Sequence, residues 1–261
     1  MNDLLRVGIF QAATVWEDVA SNLTAIDAMA DPLYRDVDVV VLPEMFGTGF
    51  SMQPERFAEA PSGPTTRWMQ QLAVRLDAAV VGSVITVDEG RYYNRLCWVA
   101  PEGLLAYYDK RHLFRMGGED RHYAAGAVAP VVEWRGFRIA PLVCYDLRFP
   151  VWSRRRPDYD YDVLLYIASW PAPRRHAWRS LLVARAIENQ AFVVGVNRVG
   201  TDGNGLAHAG DSVVHDFLGQ PMVELSDSPG VATASIGLAA LRAFRDRFPA
   251  QRDADRFTLE P

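Results

Sequence analysis

The sequence predicts an α/β fold built from two mixed β-sheets that pack together with helices outside. Short apolar runs, typical of buried strands, alternate with longer segments whose apolar residues recur at helical spacing. Hairpin signals interrupt this alternation, so parallel and antiparallel strand pairs are expected together. The strands are too numerous for one helix-covered sheet of ordinary size, which favours two packed sheets.

The first half of the chain opens on a strand of mostly bulky apolar residues, followed by a helix with one apolar stripe. The next strand is a continuous apolar run, as expected of a strand buried on both faces. A second helix then precedes three strands separated by Glu89-Gly90 and Pro101-Glu102-Gly103 turns. The predicted strands are 4–10, 37–42, 79–87, 92–100 and 104–108, and the predicted helices are 18 to about 34 and 65–77.

The second half begins with a hairpin around Arg135-Gly136, whose second strand leads directly into Cys144. Strands and helices then alternate, and a charged tail that packs loosely or reaches a partner subunit ends the chain. The predicted strands are 131–134, 137–143, 163–168, 192–196, 212–214, 222–225 and 231–236. The predicted helices are 151–155, 175–190 and 238–245, and the polar tail is 246–261.

No repeat, low-complexity tract or linker divides the 261 residues, so residues 1–261 are expected to form a single domain. The net charge of −5 argues against a nucleic-acid or anionic-membrane partner. Cys97 and Cys144 make no disulfide framework. The sequence starts with no signal-like segment, and no apolar run approaches the ~20 residues that span a bilayer. We therefore expect a cytoplasmic protein whose thiols stay reduced.

Three polar residues, Glu44, Lys110 and Cys144, each follow an apolar strand-like run directly or almost directly. Side chains at strand ends can converge at one edge of a sheet although they are far apart in the chain. Together these three supply a base, a cation and a nucleophile. Taken singly, each has an ordinary structural interpretation, because cysteine is often core and the two charged residues fit an exposed surface.

Three segments resemble motifs of the nitrilase, or carbon–nitrogen hydrolase, superfamily, and they occur in that family's order. They are Leu42-Pro43-Glu44, Asp109-Lys110-Arg111-His112-Leu113-Phe114 and Val143-Cys144-Tyr145-Asp146-Leu147-Arg148-Phe149-Pro150. The chain from Trp170 to Arg198 resembles the bacterial omega-amidase branch in particular, and the resemblance extends to about Ile236. One departure is Val151, where the family often has a glutamate, and it puts a supporting ion pair in doubt.

The resemblance implies a four-layer α-β-β-α sandwich that forms a homodimer, and it assigns roles to the polar residues. Cys144 would be the nucleophile and Glu44 its general base, while Lys110 would favour the thiolate. Lys110 and the backbone N–H of Tyr145 would hold the oxyanion. The family carries a second glutamate after the lysine. Glu119 matches it and would orient Lys110 or the substrate; the alternative is an exposed loop charge.

Residues beside the motifs are candidates for substrate contacts. Phe46, Met116, Tyr145 and Trp170 are expected to wall a small pocket, with ordinary packing as the alternative. Arg148 either clamps a substrate carboxylate bidentately or pairs with Asp146 or another acid as part of the scaffold. The five histidines follow no metal-ligand spacing and no phosphate-binding loop occurs, so we expect neither a metal nor a cofactor.

The resulting hypothesis is a cofactor-free amidase that hydrolyses a small terminal carboxamide, and the branch resemblance suggests omega-amides of 2-oxo acids such as alpha-ketoglutaramate. An alternative is that the same three residues act on a nitrile or an N-carbamoyl substrate, because the shape of the pocket decides between substrates. A binding or scaffold protein without catalysis is another. Retention of all three polar residues argues against it.

Overall fold

The computed structural model describes residues 3–33 and 36–259. Within them the strands are β1 (Leu4–Gln11), β2 (Val39–Val41), β3 (Ala79–Asp88), β4 (Arg91–Ala100), β5 (Gly103–Asp109), β6 (Val132–Trp134), β7 (Phe137–Val143), β8 (Val163–Ala168), β9 (Phe192–Asn197), β10 (Val199–Thr201), β11 (Ala207–Ala209), β12 (Val213–His215), β13 (Pro221–Glu224) and β14 (Gly230–Gly237). The α-helices are α1 (Val19–Ala30), α2 (Pro54–Phe57), α3 (Pro64–Leu76), α4 (Pro150–Ser153), α5 (Arg175–Asn189) and α6 (Leu238–Arg247). Short 3-10 helices occupy Asp31–Leu33, Arg115–Gly117, Glu119–Arg121, Cys144–Arg148, Ala172–Arg174 and Ala250–Asp253.

The strands form two mixed six-stranded sheets and a separate hairpin. The first sheet has the order β14-β1-β2-β3-β4-β5, and the second has the order β13-β12-β9-β8-β7-β6. Parallel strands lie at the centre of each sheet and antiparallel strands at its edges. The hairpin of β10 and β11 was not predicted, because each strand has only three residues, too few to show an alternating pattern.

Two of the apolar cores define how the sheets and helices are layered. The larger core lies between the sheets, where Val81 and Trp98 of the first sheet meet Leu142 and Ile167 of the second. The other core lies between the first sheet and helices α1 and α3. Helix α5 covers the outer face of the second sheet through Trp178, Leu182 and Ala186. The predicted α-β-β-α sandwich with two mixed sheets is therefore confirmed.

The first helix begins where the sequence predicts and ends earlier. Asp18 is its N-cap and accepts a hydrogen bond from the Ser21 N–H at 3.0 Å. The helix stops at Ala30 and gives way to a 3-10 turn, because Pro32 lacks the N–H that would continue the helical hydrogen bonds. Tyr34, the predicted end, lies outside the described residues.

The polar C-terminal segment packs more closely than the sequence suggests. Helix α6 runs to Arg247, so its last turn includes the start of the predicted tail. The Gln190 side chain donates to the Phe248 carbonyl at 2.7 Å, which fixes the chain beyond α6 against the end of α5. No helix in the described ranges is both long and apolar enough to cross a membrane.

The sheet order brings the ends of several strands to one edge. Strands β2 and β3 are parallel. Strand β4 is antiparallel to β3 and β5 is antiparallel to β4, so β5 runs in the same direction as β2 and β3. Strands β2 and β5 therefore end on the same side of the first sheet, just before Glu44 and Lys110. In the second sheet, β7 and β8 are parallel and end together at Cys144 and Ser169.

Candidate active site

Cys144 occupies a tight turn at the end of β7. Its φ of +45° lies in the left-handed region that residues other than glycine rarely adopt, and it begins the 3-10 helix Cys144–Arg148. Such a conformation costs of order 1–3 kcal/mol, so it persists only where surrounding contacts impose it. The residue is 9% exposed and lines a small cavity. The turn thus presents the thiol to the cavity rather than to the core.

The contacts that impose this turn converge on the buried carboxylate of Asp146. It accepts hydrogen bonds from the Val143 N–H at 3.0 Å and from the Tyr108 hydroxyl at 2.8 Å. It also accepts from the His112 backbone N–H at 3.0 Å and from His112 Nδ1 at 2.7 Å. Asp146 therefore ties the cysteine turn to the segment that carries Lys110.

Glu44 and Lys110 form a fully buried ion pair, with 2.8 Å between Lys110 Nζ and Glu44 Oε1. The other carboxylate oxygen, Oε2, accepts the Ser169 N–H at 2.8 Å. Glu44 and that same N–H also interact with the Cys144 thiol. The carboxylate of one sheet is therefore held beside the thiol of the other.

Glu119 is fully buried and makes a second ion pair with Lys110, 2.8 Å from Nζ to Oε2. Its Oε2 also accepts the Phe114 N–H at 2.6 Å, which fixes the loop after β5. The Asn94 side-chain amide donates to Glu44 at 2.7 Å and to Glu119 at 3.1 Å. Glu119 therefore does not lie on an exposed loop surface, the alternative considered for it.

The charges of this cluster determine its protonation. Burial opposes the ammonium of Lys110, but the negative charges of Glu119 and Glu44 outweigh burial and raise its pKa. Burial also raises the pKa of Glu119, and Lys110 opposes that shift. Burial and then the charge of Glu44 raise the pKa of the Cys144 thiol well above its usual value, against the opposing effect of Lys110.

Burial and the charge of Glu44 outweigh the charge of Lys110, which lowers the pKa of the Cys144 thiol as expected. Two carboxylates face one ammonium, so the cluster around Cys144 carries a net negative charge. A thiolate beside that charge is unfavourable, and the resting cysteine is the neutral thiol. Attack by this thiol therefore needs a group that accepts its proton, and the Glu44 carboxylate lies beside it.

The cavity is closed by aromatic and cationic side chains. Its lining residues are Glu44, Phe50, Lys110, Phe114, Cys144, Tyr145, Arg148, Ser169, Trp170, Pro171, Arg174, Asp202, Leu206 and His208. Tyr145 lies in the first turn of the 3-10 helix, where backbone N–H groups have no acceptor within the helix. That N–H is the predicted oxyanion donor.

Arg148 and Arg174 are two half-buried cations in the cavity wall. The Arg148 guanidinium lies 4.8 Å from the ring centre of Trp170, and that of Arg174 lies 5.1 Å from the ring centre of Phe114. Neither forms an ion pair with a described residue. The alternative in which Arg148 pairs with Asp146 is therefore not what the structure has, and Val151 stands where the family often supplies an acid.

Two of the predicted substrate contacts are wrong. Phe46 is fully buried and packs its ring 5.8 Å from that of Trp68, in the core beneath the first sheet. The turn after Glu44 causes this, because Met45 has a φ of +46° and reverses the chain direction. Met116 is 82% exposed and does not line the cavity. Trp170 does line it, as does Arg148.

Sequence reasoning missed several residues of the site, among them Asn94, Arg174 and His208. Asn94 had a weak signal, since it is a polar residue in a mostly apolar strand that also carries Arg91 and Arg95. His208 lies on the unpredicted strand β11 and Arg174 on a single 3-10 turn. No spacing rule links either one to Cys144. Within the described ranges, no group of three or more potential ligands could hold a metal ion.

Comparison with known proteins agrees with this geometry. The model of the carbon–nitrogen hydrolase family matches residues 6–246. Omega-amidase YafV of Yersinia enterocolitica is 48% identical over 98% of both chains. The 2-oxoglutaramate amidase of Bacillus subtilis is 31% identical over 88% of this chain and 90% of its own length.

A solved structure is similar throughout. The crystal structure of XC1258 from Xanthomonas campestris, a CN-hydrolase superfamily protein with an arsenic adduct in its active site, shares 50% identity. It superposes with a TM-score of 0.95 over 98% of this chain and 99% of its own. The family resemblance of the three motifs is confirmed, and this hydrolase belongs to the carbon–nitrogen hydrolase family.

Proposed function

We propose that this protein is an omega-amidase, which hydrolyses the terminal carboxamide of a small 2-oxo acid to a carboxylate and ammonia. The observation that carries the proposal is the convergence of Glu44, Lys110 and Cys144 in a small cavity that also presents two guanidinium groups. The names of the relatives from Yersinia enterocolitica and Bacillus subtilis support the same substrate class.

The first half of the reaction is acylation. Glu44 takes the thiol proton while Cys144 Sγ attacks the carboxamide carbon, which forms a C–S bond and a tetrahedral oxyanion. The Lys110 ammonium and the Tyr145 N–H hold that oxyanion. Removal of one such donor typically costs ~10²–10³ in rate. Glu44 returns its proton to the nitrogen, the C–N bond breaks, and ammonia leaves a thioester on Cys144.

The second half is hydrolysis of this thioester. Glu44, again a carboxylate, removes a proton from a water molecule that attacks the thioester carbon. The second tetrahedral intermediate collapses with cleavage of the C–S bond. The proton held by Glu44 goes to the departing sulfur, which restores the thiol and releases the acid. Glu119 keeps Lys110 charged and in place throughout, since it contacts Nζ through both carboxylate oxygens.

Arg148 and Arg174 provide the charge that recognises the acid end of the substrate. Because neither guanidinium forms an ion pair with a described residue, both remain available to a carboxylate. Stacking on Trp170 and Phe114 holds each group in one orientation. A small amide with a carboxylate at its far end can place its carboxamide beside the Cys144 thiol and its carboxylate beside these two guanidinium groups.

The direct test is ammonia release from alpha-ketoglutaramate. We expect the wild type and Cys97→Ala to release ammonia, and Cys144→Ala to release none, because Cys97 lies in the core away from the cavity. A panel with an N-carbamoyl amino acid and a nitrile of similar size measures substrate class. Absence of release by the wild type, or undiminished release by Cys144→Ala, contradicts the proposal.

We also propose that the protein works as a cytoplasmic homodimer. A reducing compartment keeps the nucleophilic thiol free. Exposed apolar side chains around the outer face of α5, namely Ile187, Leu218 and Phe248, support pairing through that face. Sedimentation equilibrium tests the dimer, and a monomer at micromolar concentration contradicts it.

A further inference from the structure

Ser169 and His208 form a hydrogen-bonded pair in the cavity wall that the mechanism above does not use. Ser169 follows β8, and its Oγ lies 3.2 Å from His208 Nε2. His208 is carried by β11 and is 6% exposed. The backbone N–H of the same serine contacts Glu44, so the pair adjoins the reacting groups.

The direction of this hydrogen bond follows from the surroundings of His208. Its Nδ1 lies 3.0 Å from the Leu206 carbonyl oxygen, which only accepts, so Nδ1 carries the proton. Burial and then the charge of Arg198 lower the pKa of His208 to about 4, so the ring is neutral at pH 7. The neutral ring therefore has a lone pair on Nε2, and the Ser169 hydroxyl donates to it.

This arrangement determines what Ser169 offers the substrate. A hydroxyl has one donor and two acceptor sites. Because His208 takes the only proton, Ser169 Oγ can act toward the cavity only as an acceptor. Ser169, Cys144 and Glu44 line the same cavity, and the Ser169 N–H contacts Glu44, so we expect a carboxamide in position for attack to bring its NH₂ group within reach of this oxygen. Without the histidine, the hydroxyl would be free to donate elsewhere.

We propose that Ser169 Oγ accepts an N–H of the scissile carboxamide and selects amides over esters, and that His208 is the positioning residue that keeps Ser169 an acceptor. The proposal rests on the proposed amidase function and names the group that recognises the leaving nitrogen. An ester of the same acyl group has no N–H to offer, so its acylation does not use this contact.

The test compares kcat/KM for an omega-amide with kcat/KM for the matching methyl ester. This ratio reports acylation, because the thioester formed from either substrate is identical. We expect Ser169→Ala to lower the amide-to-ester ratio ~10-fold, as expected for loss of one hydrogen bond to a group that gains charge. We expect His208→Leu to lower the ratio similarly. His208→Gln should restore most of it, because its amide oxygen can accept the hydroxyl.

His215→Leu is the matched control, since His215 is also buried but lies on β12 and does not line the cavity. A purely structural role for Ser169 and His208 would lower both rate constants equally and leave the ratio unchanged, which overturns the proposal. A Gln variant no better than the Leu variant overturns the positioning role.

The ratio is measured with whichever omega-amide the wild type hydrolyses, such as a dicarboxylic acid monoamide. A failure on alpha-ketoglutaramate alone therefore contradicts the proposed substrate and leaves this comparison intact. Iodoacetamide labelling of Cys144 with Cys97 left unlabelled shows that each variant is folded, because an unfolded chain reacts at both thiols.

Discussion

The two cysteines of this chain have similar burial and different surroundings. Cys97 lies in the middle of β4, packs into the core beneath helices α1 and α3, and burial raises its pKa to about 12. Burial also raises the pKa of Cys144 above its usual value. Both thiols are therefore neutral at pH 7. Cys144 differs from Cys97 in having an adjacent carboxylate and in lining a cavity, so we expect the base and the access to the thiol, and not a lowered pKa, to determine its reactivity.

Removal of the base, Glu44, should have the largest effect on the difference in reactivity between Cys144 and Cys97. Glu44→Gln keeps the size and the hydrogen-bonding shape of the side chain but cannot take a proton. We expect kcat/KM for the amide to fall by ~10³-fold or more, since general acid–base catalysis typically contributes ~10²–10⁴ and Glu44 acts in both halves of the reaction. Iodoacetamide labelling at pH 7 should slow at Cys144 toward the rate at Cys97, because we expect the loss of the base to outweigh the loss of the charge that raises the pKa of the thiol.

Cys97 is the internal reference in that experiment, and the exposed Glu133 provides a matched carboxylate-to-amide control. Glu133→Gln should leave both the amide rate and the two labelling rates unchanged. Fast labelling of Cys144 in Glu44→Gln would mean that another group activates the thiol.

A substitution at Glu119 should have a smaller effect, because it changes the contacts of Lys110 without replacing the lysine. Glu119→Gln removes one of the two carboxylates on Lys110 and weakens both contacts to Nζ. We expect kcat to fall ~10²-fold, as for loss of one preorganised oxyanion group. Asp120→Asn is the adjacent control, because Asp120 contacts only Arg115, at 3.9 Å, within the described ranges. Equal effects of the two substitutions would mean that Glu119 acts only as a loop charge.

The sequence predicted those parts of the site that depend on strand ends. Glu44, Lys110 and Cys144 each follow an apolar run, and parallel strands place such positions at one edge of a sheet. Side-chain direction is not contained in that pattern. Phe46 lies two residues from Glu44, yet the turn at Met45 points it into the core, where Gly82 leaves room for its ring.

The sequence pattern also did not predict side-chain contacts between segments that are far apart in the chain. Ser169 and His208 are 39 residues apart, and their contact depends on a hairpin of two three-residue strands. Asp146 was read as an acid near Arg148, whereas it gathers donors from β5, β7 and the loop of His112. Each of these contacts results from how the two sheets pack, which no local periodicity describes.

The smallest expected effect is on the free energy of unfolding at high pH, and it follows from the burial of both cysteines. An unfolded thiol ionises with a pKa of ~8.5, whereas folded Cys97 keeps its proton to about pH 12. Between pH 9 and 10 the unfolded state therefore binds fewer protons than the folded state, so the free energy of unfolding falls as pH rises. The loss from Cys97 is ~1 kcal/mol over that interval.

Cys97→Ala should accordingly lose ~1 kcal/mol less stability than the wild type between pH 9 and 10 in urea denaturation. Cys144→Ala should also lose less stability than the wild type, because the pKa of that thiol is raised too. Buried tyrosines such as Tyr166 lower the stability of the wild type and of both variants alike as pH rises, so their contribution cancels in this comparison. A Cys144→Ala variant with the wild-type pH slope would mean that folded Cys144 is ionised between pH 9 and 10, and that the charge of Lys110 balances or outweighs the burial and the Glu44 charge that raise the pKa of the thiol.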